Sequence, residues 1–507
     1  VISKIMAGVA IFLLWKLVFG ILGKKIHLET TIVFGIIWIV FLGITVIMWP
    51  DVFEAGGDNF IPYSYAVRLV PEYWHSIYLS CLYSASVMVF PHAIAINILQ
   101  MTVFVATVGY LYNRIRVSAA FGGARWCRFL CLLMFFFRDT FTVATNPERA
   151  EYNASFTLLF ISIILIDMLE KKVRSGKELA GLLVFAAFLA VFRSEGIVVA
   201  LLGFIALFAG LYRPGFIKGA LVIIALAVMF FVFKLPIKVG EIKYYGSDYS
   251  IINSFNSLHN IFCNDKAELK YSGAEADLAA IEAVTPVELI KEFSSEGYRR
   301  FNYSRGHADI NQSMIDKETA ESYQKAYRRI VLHNLPIYLK TQWSMLLQAS
   351  GAGVKAYSEP YTGDGTGMPE FGMELWEVGR ADFMVIPGRY TWERNNLRNK
   401  MVKAFTIPRF KYIDFLTNTR IYTGFLALEF VFGIFMLIKA IVGVFKKRYD
   451  NLATGVVSLI LEGYVVLLAL LMPVGANMYF HAFIYGMFAV IIVFLRKGQK
   501  NGGSVKE

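Results

Sequence analysis

Residues 31–49 read TIVFGIIWIVFLGITVIMW and residues 423–445 read TGFLALEFVFGIFMLIKAIVGVF. Blocks of this kind leave little choice of fold, because about 17 to 25 apolar residues are what a helix needs to cross a hydrocarbon core. The same pattern recurs at 4–23, 92–113, 127–138, 154–169, 178–192, 196–212, 217–236, 453–473 and 477–495, and the two quoted blocks lie within the candidate spans 30–50 and 421–445. Of the 507 residues, 57% are hydrophobic and only 17% are charged. A soluble domain would have no use for so much apolar surface. The expected fold class is an all-α polytopic membrane protein with about 11 transmembrane helices and a mixed extracytoplasmic domain.

Charge then orients the spans. The net charge of +12 suggests nucleic acid only if its location is ignored. Lysine and arginine cluster beside the apolar blocks, at Lys24 and Lys25, at Arg114, Arg116, Arg125 and Arg128, and at Lys171, Lys172, Arg174 and Lys177. Further clusters stand at Arg213 and Lys218, at Lys446, Lys447 and Arg448, and at Arg496 and Lys497. With every cluster in the cytoplasm the spans alternate without conflict, as the positive-inside rule requires. The partners implied are membrane lipids, with no nucleic acid. No charged region precedes the first apolar block, so no cleavable signal peptide is expected. The four cysteines are too few for a disulfide framework. Cys127 and Cys131, one turn apart in a span, read as packing residues.

Four segments then face outward: 51–91, 138–153, the turn Arg193-Ser194-Glu195, and 237–420. The domain reading follows: an extra N-terminal hydrophobic helix over 1–29, a membrane module over 30–236, an outer stretch over 237–420, and C-terminal spans with a tail over 421–507. Within the outer stretch, DKETAESYQKAYRRIVLHNL predicts a helix capped by Asp316, acidic at its start and basic at its end.

The outward segments carry the chemistry. The first holds Asp51, Glu54 and Asp58 after a span, with Gly56-Gly57 to turn the chain and an aromatic run suited to helices lying along the interface. The second holds Arg138, Asp139, Glu148, Arg149 and Glu151. The third sets Arg193 and Glu195 at the ends of two apolar helices, where an ionisable residue is costly and is usually paired or functional. Carboxylates and arginines converging at one membrane face suit a lipid-linked sugar phosphate. Guanidinium groups hold the phosphate, and a carboxylate takes the proton of the acceptor hydroxyl. The leaving phosphate is a stable anion, so no second acid is needed, unlike in glycoside hydrolysis.

The seven spans between 30 and 236, the long first outer loop carrying Asp58, and the acids before the fourth span resemble the seven-helix module of the GT-C superfamily of glycosyltransferases. That superfamily includes protein O-mannosyltransferases and the aminoarabinose transferases of lipid A. FRSEG at 192–196 resembles the superfamily's FRxEG turn, and HNLPIYL at 333–339 is similar to its hxPxYL element. The resemblance covers the membrane module and departs from it at Met478-Tyr479, where many members have Arg-Tyr. It implies an inverting transfer from a polyprenyl-phosphate-linked sugar to a glycan, lipid or teichoic-type acceptor of the cell envelope. Asp58 would be the catalytic base, Glu151 the second acid with Glu148 competing, and Arg138, Arg149 and Arg193 the phosphate-binding residues. Glu195, Tyr63, His75 and Tyr479 would support them.

The implied location is the plasma membrane with the site outside, or the endoplasmic reticulum in a eukaryote. No cofactor is expected, since the lipid-phosphate sugar is a substrate. A divalent ion bridging Asp58 and a second acid is less favoured because arginines supply positive charge. No Walker A loop, no HExxH and no zinc-spaced cysteine pair is present. The rival readings are an O-antigen-type glycan polymerase or ligase, with its chemistry in the late outer loop, and a lipid or solute transporter. Transporters bury polar groups in broken helices at mid-membrane, whereas here the acids gather at one edge.

Overall fold

Hydrocarbon offers no hydrogen-bond partner to a peptide group, so an apolar block must close its backbone bonds on itself. In the computed structural model of the chain the blocks are helical accordingly, and no strand occurs among the described residues. The structure describes residues 26–48, 63, 65, 66, 68, 76–90, 94–122, 124–137, 140, 149–207, 216–240, 250–293, 316–350, 419–448, 451–471 and 477–496. The expected span 4–23 lies outside them.

The chain divides into two units. The first comprises Val1–Phe233, Tyr361–Tyr464 and His481–Glu507, and the second Lys234–Pro360 with Val465–Phe480. The first contains α1 (Leu28–Met48), α2 (Ile77–Val89), α3 (Ile94–Val117), α4 (Arg125–Leu133), α5 (Arg149–Glu170), α6 (Gly176–Phe192), α7 (Gly196–Leu207) and most of α8 (Phe216–Gly240). The second contains α9 (Ser250–Phe262), α10 (Ala274–Glu282), α11 (Val287–Phe293), α12 (Lys317–His333) and α13 (Leu335–Ala349). The first unit resumes with α14 (Thr419–Phe445), the first part of α15 (Leu452–Leu471) and α16 (His481–Leu495).

Five stretches have the length and apolar character to cross a membrane: Ile94–Val117, Glu151–Glu170, Ala220–Val239, Thr423–Phe445 and Leu452–Leu471. Shorter apolar helices at Leu28–Ile44, Ile77–Val89, Gly196–Leu207 and His481–Leu495 accompany them. Against an expectation of about 11 spans, the described residues thus supply five of full length. The block 127–138 is shorter than a full span where it is described. It forms the nine-residue α4 and a short 3-10 turn, Met134–Phe136, and nine residues of helix rise only about 14 Å. The reason is its amphipathic start: Cys127 and Cys131 are buried, Trp126 is exposed, and Arg128 lies 3.0 Å from Glu29. The chain nevertheless climbs along α16. The Cys127 thiol donates to the carbonyl of Ile492 at 3.3 Å, and farther on Thr140 meets the Tyr485 hydroxyl at 2.8 Å.

α5 sits at the centre, packed by α3, α6, α7 and α16. Small residues allow this approach, as is usual between membrane helices. A Cβ added at Gly203 of α7 would meet Phe160 and Ile164 of α5 at 2.6 Å, and one at Gly486 of α16 would meet Ile161 of α5 at 3.2 Å as well as Leu461 of α15 at 2.5 Å. α8 and α14 instead turn apolar side chains outward, among them Leu221, Val228, Phe231, Leu428, Val431 and Ile438. Such an unbroken exposed apolar face belongs against lipid.

One end of the first unit is basic and internally neutralised. Arg114, almost fully buried, bonds Glu170 at 2.5 Å; Arg116 and Arg128 both pair with Glu29; and Arg174 forks onto buried Asp167. Arg496 lies over the Phe121 ring at 5.8 Å. The clusters read as topology signals therefore also tie helix ends together through partly buried, hydrogen-bonded pairs.

In the second unit α12 begins as expected. Asp316 accepts from the Thr319 amide at 2.7 Å, and these amide bonds hold its carboxyl below the ordinary carboxylate value. The outer stretch, expected to be mixed, is helical where described.

Candidate functional site

At the end of the first unit opposite the basic clusters, five helix termini meet. α5 begins there with Glu151 in its first turn, where the helix dipole favours negative charge. Glu151 and His481, the first residue of α16, are both fully buried, and Glu151 Oε1 lies 2.7 Å from His481 Nδ1. A carboxylate on Nδ1 fixes the imidazole's orientation and tautomer and stabilises its protonated form. The next residue on α5, Tyr152, donates its hydroxyl to the Ile96 carbonyl at the start of α3 (3.2 Å) and packs edge-on against Phe192 at the end of α6.

Phe192 is followed directly by the charged turn. Arg193 Nε lies 3.2 Å from Glu195 Oε1, Ser194 donates to Glu195 Oε2 at 3.0 Å, and both charged side chains are buried. The Arg193 charge is thus matched inside its own turn, which is the arrangement a guanidinium removed from water requires.

The first outer loop returns to the same place. Ala66, Leu79, Tyr83, Ile96, Tyr152 and Phe192 form one buried cluster, with Tyr63 packed against it. Burial pushes the Tyr63 phenol above its ordinary value. The chain at Tyr63 and Ala66 therefore packs on the immediate chain neighbours of Glu151 and Arg193. Two further polar side chains line α5 one turn apart, Asn153 and Thr157. Both are buried, and neither the Asn153 amide nor the Thr157 hydroxyl has a hydrogen-bond partner among the described residues.

Of the residues expected from the sequence, Glu151, Arg193, Glu195 and Tyr63 come together at this end. Tyr479 is buried in a 3-10 turn, Asn477–Phe480, that belongs to the second unit. Asp58, His75, Arg138 and Glu148 lie outside the described residues, and only the backbone of Arg149 is within them. Among the described residues no group of three His, Cys, Asp or Glu side chains could hold a metal ion. Asp58, on which the bridged arrangement depends, is not among them.

The residue that sequence reasoning passed over is His481. Its signal was present: in ANMYFHAF a histidine opens an apolar helix, and an ionisable group at the edge of hydrocarbon asks for a partner. Asn153, which heads a glycosylation triplet, is buried in a helix and unsuited as an acceptor. No protein-family model, no curated protein and no solved structure matches this chain.

Proposed function

We propose that the protein is an inverting membrane glycosyltransferase. It takes a sugar from a polyprenyl-phosphate carrier and passes it to an envelope acceptor at the membrane face where Glu151 lies. The observation that carries this reading is the buried Glu151–His481 pair, at the point where the first outer loop and the Arg193 turn also arrive.

The chemistry asks three things of such a place. The acceptor hydroxyl gives its proton to a base as its oxygen attacks the anomeric carbon. The bond from that carbon to the phosphate oxygen breaks, and the electron pair leaves on polyprenyl phosphate, with inversion at the carbon. Asp58 is the candidate base, on the loop anchored by Tyr63 and Ala66. Glu151 and His481 form a proton-holding pair, with Glu151 positioning the ring and proton exchange taking place at Nε2. Because Glu195 already matches Arg193, the phosphate draws its counter-charge from Arg138 and Arg149, the latter in the first turn of α5.

The test is genetic and chemical together. In cells that make the protein, replacing its gene with the Asp58→Asn or Glu151→Gln form should remove one sugar from an envelope glycan, read by mass spectrometry. An unchanged envelope with both variants folded in the membrane refutes the reading.

A further inference from the structure

In the second unit α12 and α13 meet at Asn334, and the character of their exposed surface changes there. From Lys317 to Arg329 every exposed side chain is charged or polar, Glu321, Lys325 and Arg328 among them. Leu332, Leu335, Leu339 and Trp343 are exposed in turn, Leu332 by 69% and Trp343 by 58%. The last three stand four residues apart in α13, so they follow one line along its surface. Single exposed apolar residues are ordinary; a line of large ones marks a surface that something covers.

The other side of α13 is already committed. Thr341 and Met345 are buried, and the helix packs against α9 and against the 3-10 turn Asn477–Phe480. The apolar line therefore looks out of the unit.

One hydrogen bond sets the level at which this helix lies. The Tyr338 hydroxyl donates to the carbonyl of Leu470 at 2.7 Å. Leu470 is in the last turn of α15, whose length and apolar character suit a membrane crossing. The last four carbonyls of a helix have no partner within it, and hydrocarbon supplies none. Tyr338 thus completes α15 where the span ends, a place that suits an aromatic ring with a polar tip. At that end Val466, Leu470 and Leu471 are themselves exposed and apolar, as a lipid-facing surface is. Leu339, the residue after Tyr338, carries the exposed apolar surface from the end of the span onto α13. All of these residues belong to the second unit.

We propose that α13 lies along the bilayer surface and buries Leu335, Leu339 and Trp343 at the boundary between headgroups and acyl chains. The partner is the phospholipid bilayer that α15 crosses. Trp343 is the residue type that favours this boundary, and exposed Lys340 can lay its stem on the apolar line while its ammonium reaches the headgroup phosphates. α12, with its charged surface, stays in water. The second unit is then held to the membrane along a helix as well as through its spans, whether or not the protein transfers a sugar.

Spin labels test this in the full chain. With Cys81→Ser and Cys263→Ser removing the exposed thiols and the buried Cys127 and Cys131 kept, one nitroxide at a time is attached through Leu339→Cys, Trp343→Cys or, on α12, Lys325→Cys. All three positions are exposed, so the substitutions disturb no packing. The proteins are placed in phosphatidylcholine–phosphatidylglycerol nanodiscs. Power saturation then compares collisions with oxygen, which concentrates in lipid, and with a water-soluble nickel chelate. Labels at 339 and 343 should be reached more by oxygen than by the chelate, and the label at 325 should show the reverse. Chelate access at 339 and 343 equal to that at 325 would place the line in water. Exclusion of both reagents there would place another protein or a second copy over it. Either result overturns the proposal.

Discussion

Glu151 and His481 are 330 positions apart, and the way each was or was not legible shows what a sequence can reveal about a buried pair. Glu151 stood out because it is an acid at the mouth of an apolar helix in a loop crowded with charges. His481 is a single imidazole in an aromatic run with no local partner, and only the tertiary fold explains it. If the pair acts as one device, Glu151→Gln and His481→Gln should each lower transfer by about 100-fold or more. The double variant should then be little worse than either, since residues acting as a unit are non-additive. Multiplied losses in a kinetic cycle would separate their roles.

A second prediction at this scale concerns Asn153. A buried amide with no partner among the described residues costs stability, so Asn153→Leu should raise the unfolding midpoint, by about 1 kcal/mol of stability. A fall in the midpoint would contradict that placement.

At the scale of elements, α12 and α4 mark the limits of pattern reading. The start of α12 was legible to the residue, because Asp316 is a strong N-cap and the charges follow the dipole. The Asp316 carboxyl is held below its ordinary value in the folded chain, so its contribution is present above the unfolded-state pKa and lost as pH falls through the folded one. Hydrogen exchange of the amides of 317–320 should be faster in Asp316→Ala than in the parent at neutral pH. The two should converge only at a pH well below the ordinary carboxylate value, where Asp316 is protonated in the folded chain as well.

α4 shows that hydropathy counts apolar residues and not how far a regular α-helix extends. Its two arginines hold its start at the basic end, as the Arg128–Glu29 pair shows, and a 3-10 turn follows nine residues later. The basic end also carries a stability prediction. Asp167→Ala removes the close partner of the buried Arg174 guanidinium, leaving the longer Glu178 contact at 3.9 Å, and should destabilise the chain by about 3 kcal/mol. Asp167→Leu combined with Arg174→Met should recover most of that loss. Chemical denaturation of the three proteins in one detergent compares them directly.

Over the whole molecule, the membrane character was readable from block length and charge placement, and the exposed apolar faces of α8 and α14 express it in three dimensions. The division into two units was only partly readable. The expected stretch was 237–420, whereas the second unit comprises Lys234–Pro360 together with Val465–Phe480, a return that sequence order conceals. The cluster joining Ala66, Tyr152 and Phe192 packs residues next to the three turns against one another, a contact that sequence order alone does not show.

The most direct trial of the transferase account is a single-turnover assay. The purified full chain in nanodiscs is given the polyprenyl-phosphate sugar fraction and envelope oligosaccharides, and liberated polyprenyl phosphate is counted by mass spectrometry. The parent should liberate it only when acceptor is present, and Glu151→Gln, equally folded, should do so slower by about 100-fold or more. Equal rates in the two proteins would contradict the account.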